Sequence, residues 1–370
     1  MKNAAKNLGW SMPKGKTPGP CDVAQKPGPA NVFILYALLS ASVAILAFGC
    51  NDSLQTTIDW PDTVFVGDLV PQATRVVREA LDDEDPSIRA NAIEVVAATE
   101  QIRLMPKVQR LLRDEFVPVR FAAALAVGDL QYSLAKSDAA QLLTDENENV
   151  RIAAAYAMSR LGNPGGFQLF RNAISSSDQT LRANAALLLG KSGDRNALKF
   201  LWWTLGRKDS DDKVRFQAAE AIAMLGDERV VPNLWTMLIS AYADVRVIGI
   251  RAMGALGTPQ ARDALLTMLD DDVLEVRLVA AEQLGMLKDP RGEPVVLDVF
   301  AKNLTAGLDA RDRERVDVFT ALAIGRIPTP RLTKFLPPLL RHESKSVRIA
   351  AAKAVFQCMM QSRSAKKLPV

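Results

Sequence analysis

An all-α solenoid of about nine two-helix units is the fold this sequence predicts, and three observations predict it. An arginine recurs in phase, at Arg89, Arg120, Arg151, Arg182, Arg215, Arg246, Arg277 and Arg348. The first three intervals are 31 residues, the next 33, then 31 and 31, with 71 before the last. Each arginine starts a similar stripe of small and apolar residues, and a turn carrying aspartate usually precedes it. A period in this range marks supersecondary units that cannot bury their apolar faces alone, so neighbours must stack. The expectation is one continuous, elongated array that presents a surface.

The elements follow in chain order. Residues 1–31 are rich in Pro, Gly and Lys and read as a disordered tail. Residues 32–49 carry no charge, and as a helix would span roughly 27 Å, just short of the ~30 Å hydrocarbon core of a bilayer. Lys2, Lys6, Lys14, Lys16 and Lys26 precede this run, while Asp52, Asp59 and Asp62 follow it. The positive-inside rule then keeps the tail in the cytoplasm and sends the body across the membrane. The stretch Leu46-Ala47-Phe48-Gly49-Cys50 resembles a bacterial lipobox, which makes Cys50 a lipidation candidate. Gly49 and Cys50 match that pattern, whereas Phe48 and Ala47 depart from it. An uncleaved signal anchor and an ordinary cleaved signal are the alternatives, with Met12 a possible start. All three versions place the repeats at the cell envelope, outside the cytoplasm. Residues 51–69 read as a tether, with Pro61 and Pro71 discouraging helix, and residues 70–361 as the array. Residues 362–370, with Arg363, Lys366 and Lys367, form a basic C-terminal tail.

Within the array, Ala at three and four after the arginine, with apolar residues at seven and often ten, makes one helical stripe. The eighth position is small in nearly every copy: Ala97, Gly128, Ser159, Gly190, Ala223, Gly254 and Gly285. Such a position lets neighbouring helices approach closely. Gly162, Gly226 and Gly257 fall where the helix must stop, and glycine enters the left-handed conformation without strain. Asp85, Asp114, Asp145, Asp178, Asp211 and Asp271 sit in the preceding turns. There they can cap the next helix and form, with the arginines, a structural ladder between units. A second template, seen in Ala197, Leu201, Trp202 and Leu205 and again in Val230, Leu234, Trp235 and Leu238, supplies the first helix of each unit. The copy between Arg277 and Arg348 is degenerate. Arg313 or Arg315 stands in for its arginine, and an insertion around residues 302–313 lengthens its turn.

Two helices per unit, this period and these turn residues together resemble the HEAT repeat, and more narrowly the short form named for the phycobilisome lyases. The resemblance covers about residues 70–361 and implies a protein-binding scaffold, since such arrays mostly bind proteins. HEAT-like families also contain enzymes. The deoxyhypusine hydroxylases hold two irons through several His-Glu pairs on successive repeats, but only His342-Glu343 occurs here, in a turn position. No residue selects a tetrapyrrole, and no nucleophile elbow, phosphate loop or Cys/His constellation appears. Cys21, Cys50 and Cys358 are far apart and suggest neither zinc nor a disulfide framework. The expectation is therefore a chain that is not an enzyme and needs no cofactor or metal. A bilin-lyase-type or hydroxylase-type protein is the alternative. Net charge is +4, with much of the excess in the two tails, so the body offers no electrostatic footprint for nucleic acid.

Four residues stand out as candidate partner contacts. Trp203 falls where other units carry Thr144, Thr236 and Thr267, and an aromatic at a polar position suits an interface. On the second helices, the fifth residue after the arginine lies opposite the buried stripe, and Leu125, Tyr156 and Leu187 are apolar there in succession. With helices about 8–10 Å apart they would form a concave strip about 20 Å long, suited to an apolar peptide. Mutual packing of the neighbouring helices is the competing reading.

Overall fold

The computed structural model describes residues 64–163 and 166–365. The tail, the apolar run with Cys50, and most of the tether lie outside the described residues. Among those described there are nineteen α-helices, several short 3-10 turns and no strand. They pair into nine units. The first five units are α1 (Val70–Ala80) with α2 (Pro86–Ala98), α3 (Met105–Arg110) with α4 (Val117–Asp129), α5 (Lys136–Gln141) with α6 (Glu148–Arg160), α7 (Phe167–Ile174) with α8 (Gln179–Lys191), and α9 (Leu198–Gly206) with α10 (Asp212–Met224). The next three are α11 (Val231–Leu238) with α12 (Ala243–Leu256), α13 (Pro259–Thr267) with α14 (Leu274–Met286), and α15 (Glu293–Ala301) with α16 (Ala310–Arg326). In the last, α17 (Pro330–Thr333) and α18 (Leu336–Leu339) together stand opposite α19 (Lys345–Ala365).

Local chemistry explains the boundaries. Pro71 sits in the first turn of α1, where its missing N–H costs no hydrogen bond, so it starts the helix instead of blocking it. Residues Val66–Leu69 already form a 3-10 turn, so the tether ends sooner than the sequence suggested. At the other end α19 continues to Ala365, taking in the first residues of the expected basic tail. Asp85, Asp178 and Asp211 each accept a backbone N–H of the helix that follows, at 2.7–2.8 Å. Gly257 ends α12 at φ 67°, and its N–H reaches Met253 O at 3.0 Å.

Each second helix packs on the next, from α2 through α4, α6, α8, α10, α12, α14 and α16 to α19. The series then returns to its start: α19 packs against α1 and touches α2. Two ion pairs cross this seam, Lys345 Nζ to Asp83 Oδ2 at 2.7 Å and Lys353 Nζ to Glu94 Oε1 at 2.8 Å. The chain is the α-solenoid of nine two-helix units that periodicity predicts, but it closes into a ring where an elongated array was expected. Alanine and glycine at the contact positions permit the close approach. A Cβ added at Gly190 would lie 2.8 Å from Ala221 Cα, well inside van der Waals contact. Among the described residues no helix is long and apolar enough to cross a membrane.

Candidate functional site

The phased arginines form rungs between units. Arg89 grips Asp114 with Nε at 2.9 Å and Nη2 at 2.8 Å, and Arg120 grips Asp145 in the same two-pronged way. Arg246 donates through Nη2 alone, to Asp271 and to Asp272 at 2.9 Å each, with its Nε 2.8 Å from Asp271 as an ion pair. In each rung the acid lies 25 residues beyond the arginine. The same aspartates also accept the backbone N–H two residues on, at 2.9 Å, so one carboxylate closes a turn and a rung together. These pairs are nearly excluded from water, where charge-assisted, bidentate bonds are strongest. The arginine chemistry here is spent on the fold.

Unit eight carries the rung with its polarity reversed. A Cβ on Gly325 would meet Ala354 Cα at 2.7 Å, which identifies Gly325 as the eighth-position glycine. Counting back eight residues puts Asp317, not Arg313 or Arg315, in the arginine place. His342 stands 25 residues on, where an aspartate belongs, and its Nε2 lies 3.4 Å from Asp317 Oδ2. His342 Nδ1 accepts the N–H of Ser344 at 3.0 Å, closing the turn as the rung aspartates do. Burial pushes the Asp317 carboxyl up, and His342 and Arg313 oppose that shift. Arg315 instead reaches Asp244 and Glu275. This spacing was present in the sequence, but no repeated residue type marked it.

The strip of Leu125, Tyr156 and Leu187 is not a surface. Their exposures are 2%, 3% and 3%, because closure turns the second helices toward one another. Tyr156 donates its hydroxyl to Asp129 Oδ1 at 2.6 Å, and Lys191 Nζ lies 3.0 Å from Asp129 Oδ2, bridging over α6. Glu220 is buried on the same inner side. Burial pushes its carboxyl up, against the opposing pull of Arg251, a bond from Gln217 and Lys191. A cavity of about 270 Å³ remains here, lined by Glu94, Leu125, Asp129, Lys191 and several alanines of α2 and α4. Ligand pockets usually measure about 300–1,000 Å³, and here the charged groups already pair with one another. Among the described residues no cluster of three or more His, Cys, Asp or Glu could hold a metal ion.

Large apolar side chains are exposed at several places, Phe65 and Leu134 among them, and three of them fall on two neighbouring units. Trp203 of α9 is 47% exposed, and Arg207 stacks over its ring at 4.4 Å. Ile239 and Tyr242, in the turn between α11 and α12, are 77% and 75% exposed. The neighbouring Trp202 turns inward and donates its indole N–H to Asp227 at 3.0 Å. Arg229 and then Trp202 hold the Asp227 carboxyl well below the usual carboxylate range. Trp203 was visible as an aromatic in a threonine position. Ile239 and Tyr242 were not singled out, because the residues beside the turn's aspartate position vary in type from unit to unit.

The comparisons with known proteins agree with this geometry in one respect, the repeat. A family model described as HEAT repeats matches residues 104–174, 167–246 and 238–316, together more than half of the chain. No curated protein matches. Among solved structures, human deoxyhypusine hydroxylase is 16% identical, with 80% of this chain and 99% of that one covered, at a TM-score of 0.34. The CpcE–CpcF complex of phycocyanin lyase from Nostoc is 18% identical over 85% of this chain and 99% of that one, at 0.30. Kap121p is 14% identical over 76% of this chain and 37% of that one, at 0.33.

Proposed function

Because this chain belongs to the HEAT-repeat family, we propose that it is a protein-binding scaffold without catalytic chemistry of its own, held at the bacterial cell envelope. One observation carries the binding half of this reading. Closure packs the inner face, yet leaves Trp203, Ile239 and Tyr242 as large apolar side chains in water on consecutive units. Rigid aromatics of that kind gain most from being covered by a partner. A photo-crosslinking residue in place of Trp203 or Tyr242 should trap defined partners in native membranes, and the same residue in place of Leu187 should trap none. Equal yields at all three positions would remove the reading.

The address rests on the sequence alone: the apolar run 32–49, the lysines before it, and Cys50 in a lipobox-like setting. Cys50→Ala should abolish lipid labelling and leave the precursor unprocessed. A native chain that takes no lipid and keeps residues 1–49 would instead be a signal anchor. Digestion of the repeats by protease supplied on the cytoplasmic side would refute the envelope placement in either form. An enzyme or cofactor-handling role is the rival reading, and metal analysis with an absorption spectrum of the purified chain separates the two. The scaffold is expected to be colourless and metal-free.

A further inference from the structure

Arg215 is the least satisfied of the phased arginines. Arg89, Arg120 and Arg246 each grip an aspartate, Arg182 reaches Asp209 at 3.3 Å, and Arg151 reaches Glu148 at 2.7 Å. Arg277 and Arg348 have no acid among the described residues, but each donates to two turn carbonyls, at 2.6 and 3.3 Å and at 2.6 and 2.8 Å. Arg215 has one acceptor among the described residues, Arg207 O at 3.2 Å, and its Nε, like that of Arg246, is buried without any. The cause is legible. The acid due 25 residues on is replaced by Ser240. The interval from Arg182 is also two residues longer than the usual 31, which carries the customary turn carbonyls out of reach.

This incomplete rung lies beside the exposed aromatics. Arg207, whose carbonyl takes the single bond from Arg215, is the residue that stacks on Trp203. Tyr242 occupies the place that Phe116 holds in unit two, and the Phe116 ring lies 5.5 Å from the Arg89 guanidinium. By the same register, Tyr242 and Ser240 border Arg215.

We infer that this rim receives an extended segment of a partner protein carrying an aspartate or glutamate beside an aromatic or branched apolar residue. The carboxylate takes the rung position that Ser240 leaves unfilled, and the apolar side chain lies on Trp203, Ile239 and Tyr242. A guanidinium fork binds a carboxylate through two parallel bonds, as two rungs of this ring already show. A flat anionic membrane fits less well, since Asp211 and Asp212 at the start of α10 and Asp244 at the start of α12 are exposed and repel a sheet of negative charge. One carboxylate aimed at one fork avoids them.

This inference rests on the protein-binding reading, and the test separates the two. A phage-displayed library of random dodecapeptides is panned on the full chain, and the enriched peptides are resynthesised with each acid as its amide. Enriched peptides should share an acid next to an apolar residue, and the amide forms should bind at least tenfold more weakly. Arg215→Gln and Trp203→Ala should each cause a similar loss, and Arg277→Gln none. Ser240→Asp supplies the missing rung from within, so it should raise the melting temperature while weakening the peptides tenfold or more. That variant keeps the test decisive if Arg215→Gln folds poorly. Peptides without an acid, or indifferent to both Arg215→Gln and Ser240→Asp, would overturn the site and leave the protein-binding reading standing. No enriched peptide at all would overturn both. Self-association of the full chain that Ser240→Asp abolishes would put a second copy on the rim and refute a foreign partner.

Discussion

Asp317 and His342 show how a rung can keep its geometry while exchanging its charges. The pair holds the 25-residue spacing of the arginine rungs with acid and base exchanged, the acid on the helix and the base in the following turn. His342→Asp would set two carboxylates face to face across a partly buried contact and should lower the melting temperature. Adding Asp317→Arg rebuilds the ordinary rung, so the double variant should regain wild-type stability or exceed it. A coupling of about 1–3 kcal/mol is expected for neighbouring charged groups in a double-mutant cycle read by urea melts. Strict additivity of the two changes would show that the contact is not a rung. Glu220 makes a pH-dependent case. Burial raises its carboxyl above the unfolded value, so the folded chain holds an extra proton between the two values. Stability therefore falls as pH climbs through that window and stays reduced above it. Glu220→Gln should raise the melting temperature at pH 8 and lose that advantage at pH 4; a gain of equal size at both would exclude titration as its cause. The glycine rungs grade by what they touch. Gly190→Ala drives its new methyl against the Ala221 backbone, while Gly254→Ala meets the movable Gln283 side chain. The first should cost about 1–3 kcal/mol by overpacking and the second less. Small eighth positions and rung arginines were plain in the sequence because one residue type repeats. The reversed rung was not, because recognising it needs the glycine contact that sets its register.

The elements were the most legible level, and α19 is where their roles could not be read. Its sequence is that of a last repeat, whose far side would normally face water. In the ring that side is covered by α1 and α2. Cys358 lies on the opposite side, against Ile324 O of α16 at 3.9 Å, where it is 2% exposed and burial pushes its thiol up to about 12. At pH 8 the native chain should therefore leave Cys358 unmodified by a maleimide, with peptide mapping distinguishing it from Cys21 and Cys50. Lys345→Glu combined with Lys353→Glu puts like charges opposite Asp83 and Glu94 at the seam. Hydrogen exchange in α1 should then speed up at least tenfold, as the seam opens more often, while Cys358 on the α16 side stays protected. Unchanged exchange in α1 of the double variant would mean that the two ion pairs do not hold the seam. Neither closing contact follows from periodicity, since the partners of Lys353 and Glu94 are 259 residues apart and belong to no common template. The concave strip was misjudged for the same reason. Leu125, Tyr156 and Leu187 would line an open groove in a gently curved array, but tight curvature packs them inside.

For the whole molecule, closure changes the rule by which damage spreads. An open array draws its stability from interfaces between neighbours, and a terminal unit has only one, so a lesson from linear repeats is that the ends tolerate more. Here each unit has two neighbours, because α19 packs on both α16 and α1. The contrast can be measured with two substitutions on fully buried alanines of second helices, Ala221→Leu in α10 and Ala351→Leu in α19. Both insert three extra carbons into a helix contact, and each should cost about 1–3 kcal/mol. The last unit should thus be as sensitive as the middle one, and each variant should still unfold in a single transition by calorimetry, because a ring gives fraying no free end from which to start. A linear array would instead show a milder loss for Ala351→Leu, with an early transition confined to the C-terminal units. Hydrogen exchange across α1 adds an independent reading. In a ring, damage in α19 must deprotect α1 at the opposite end of the sequence, whereas in an open array the two helices would never feel each other.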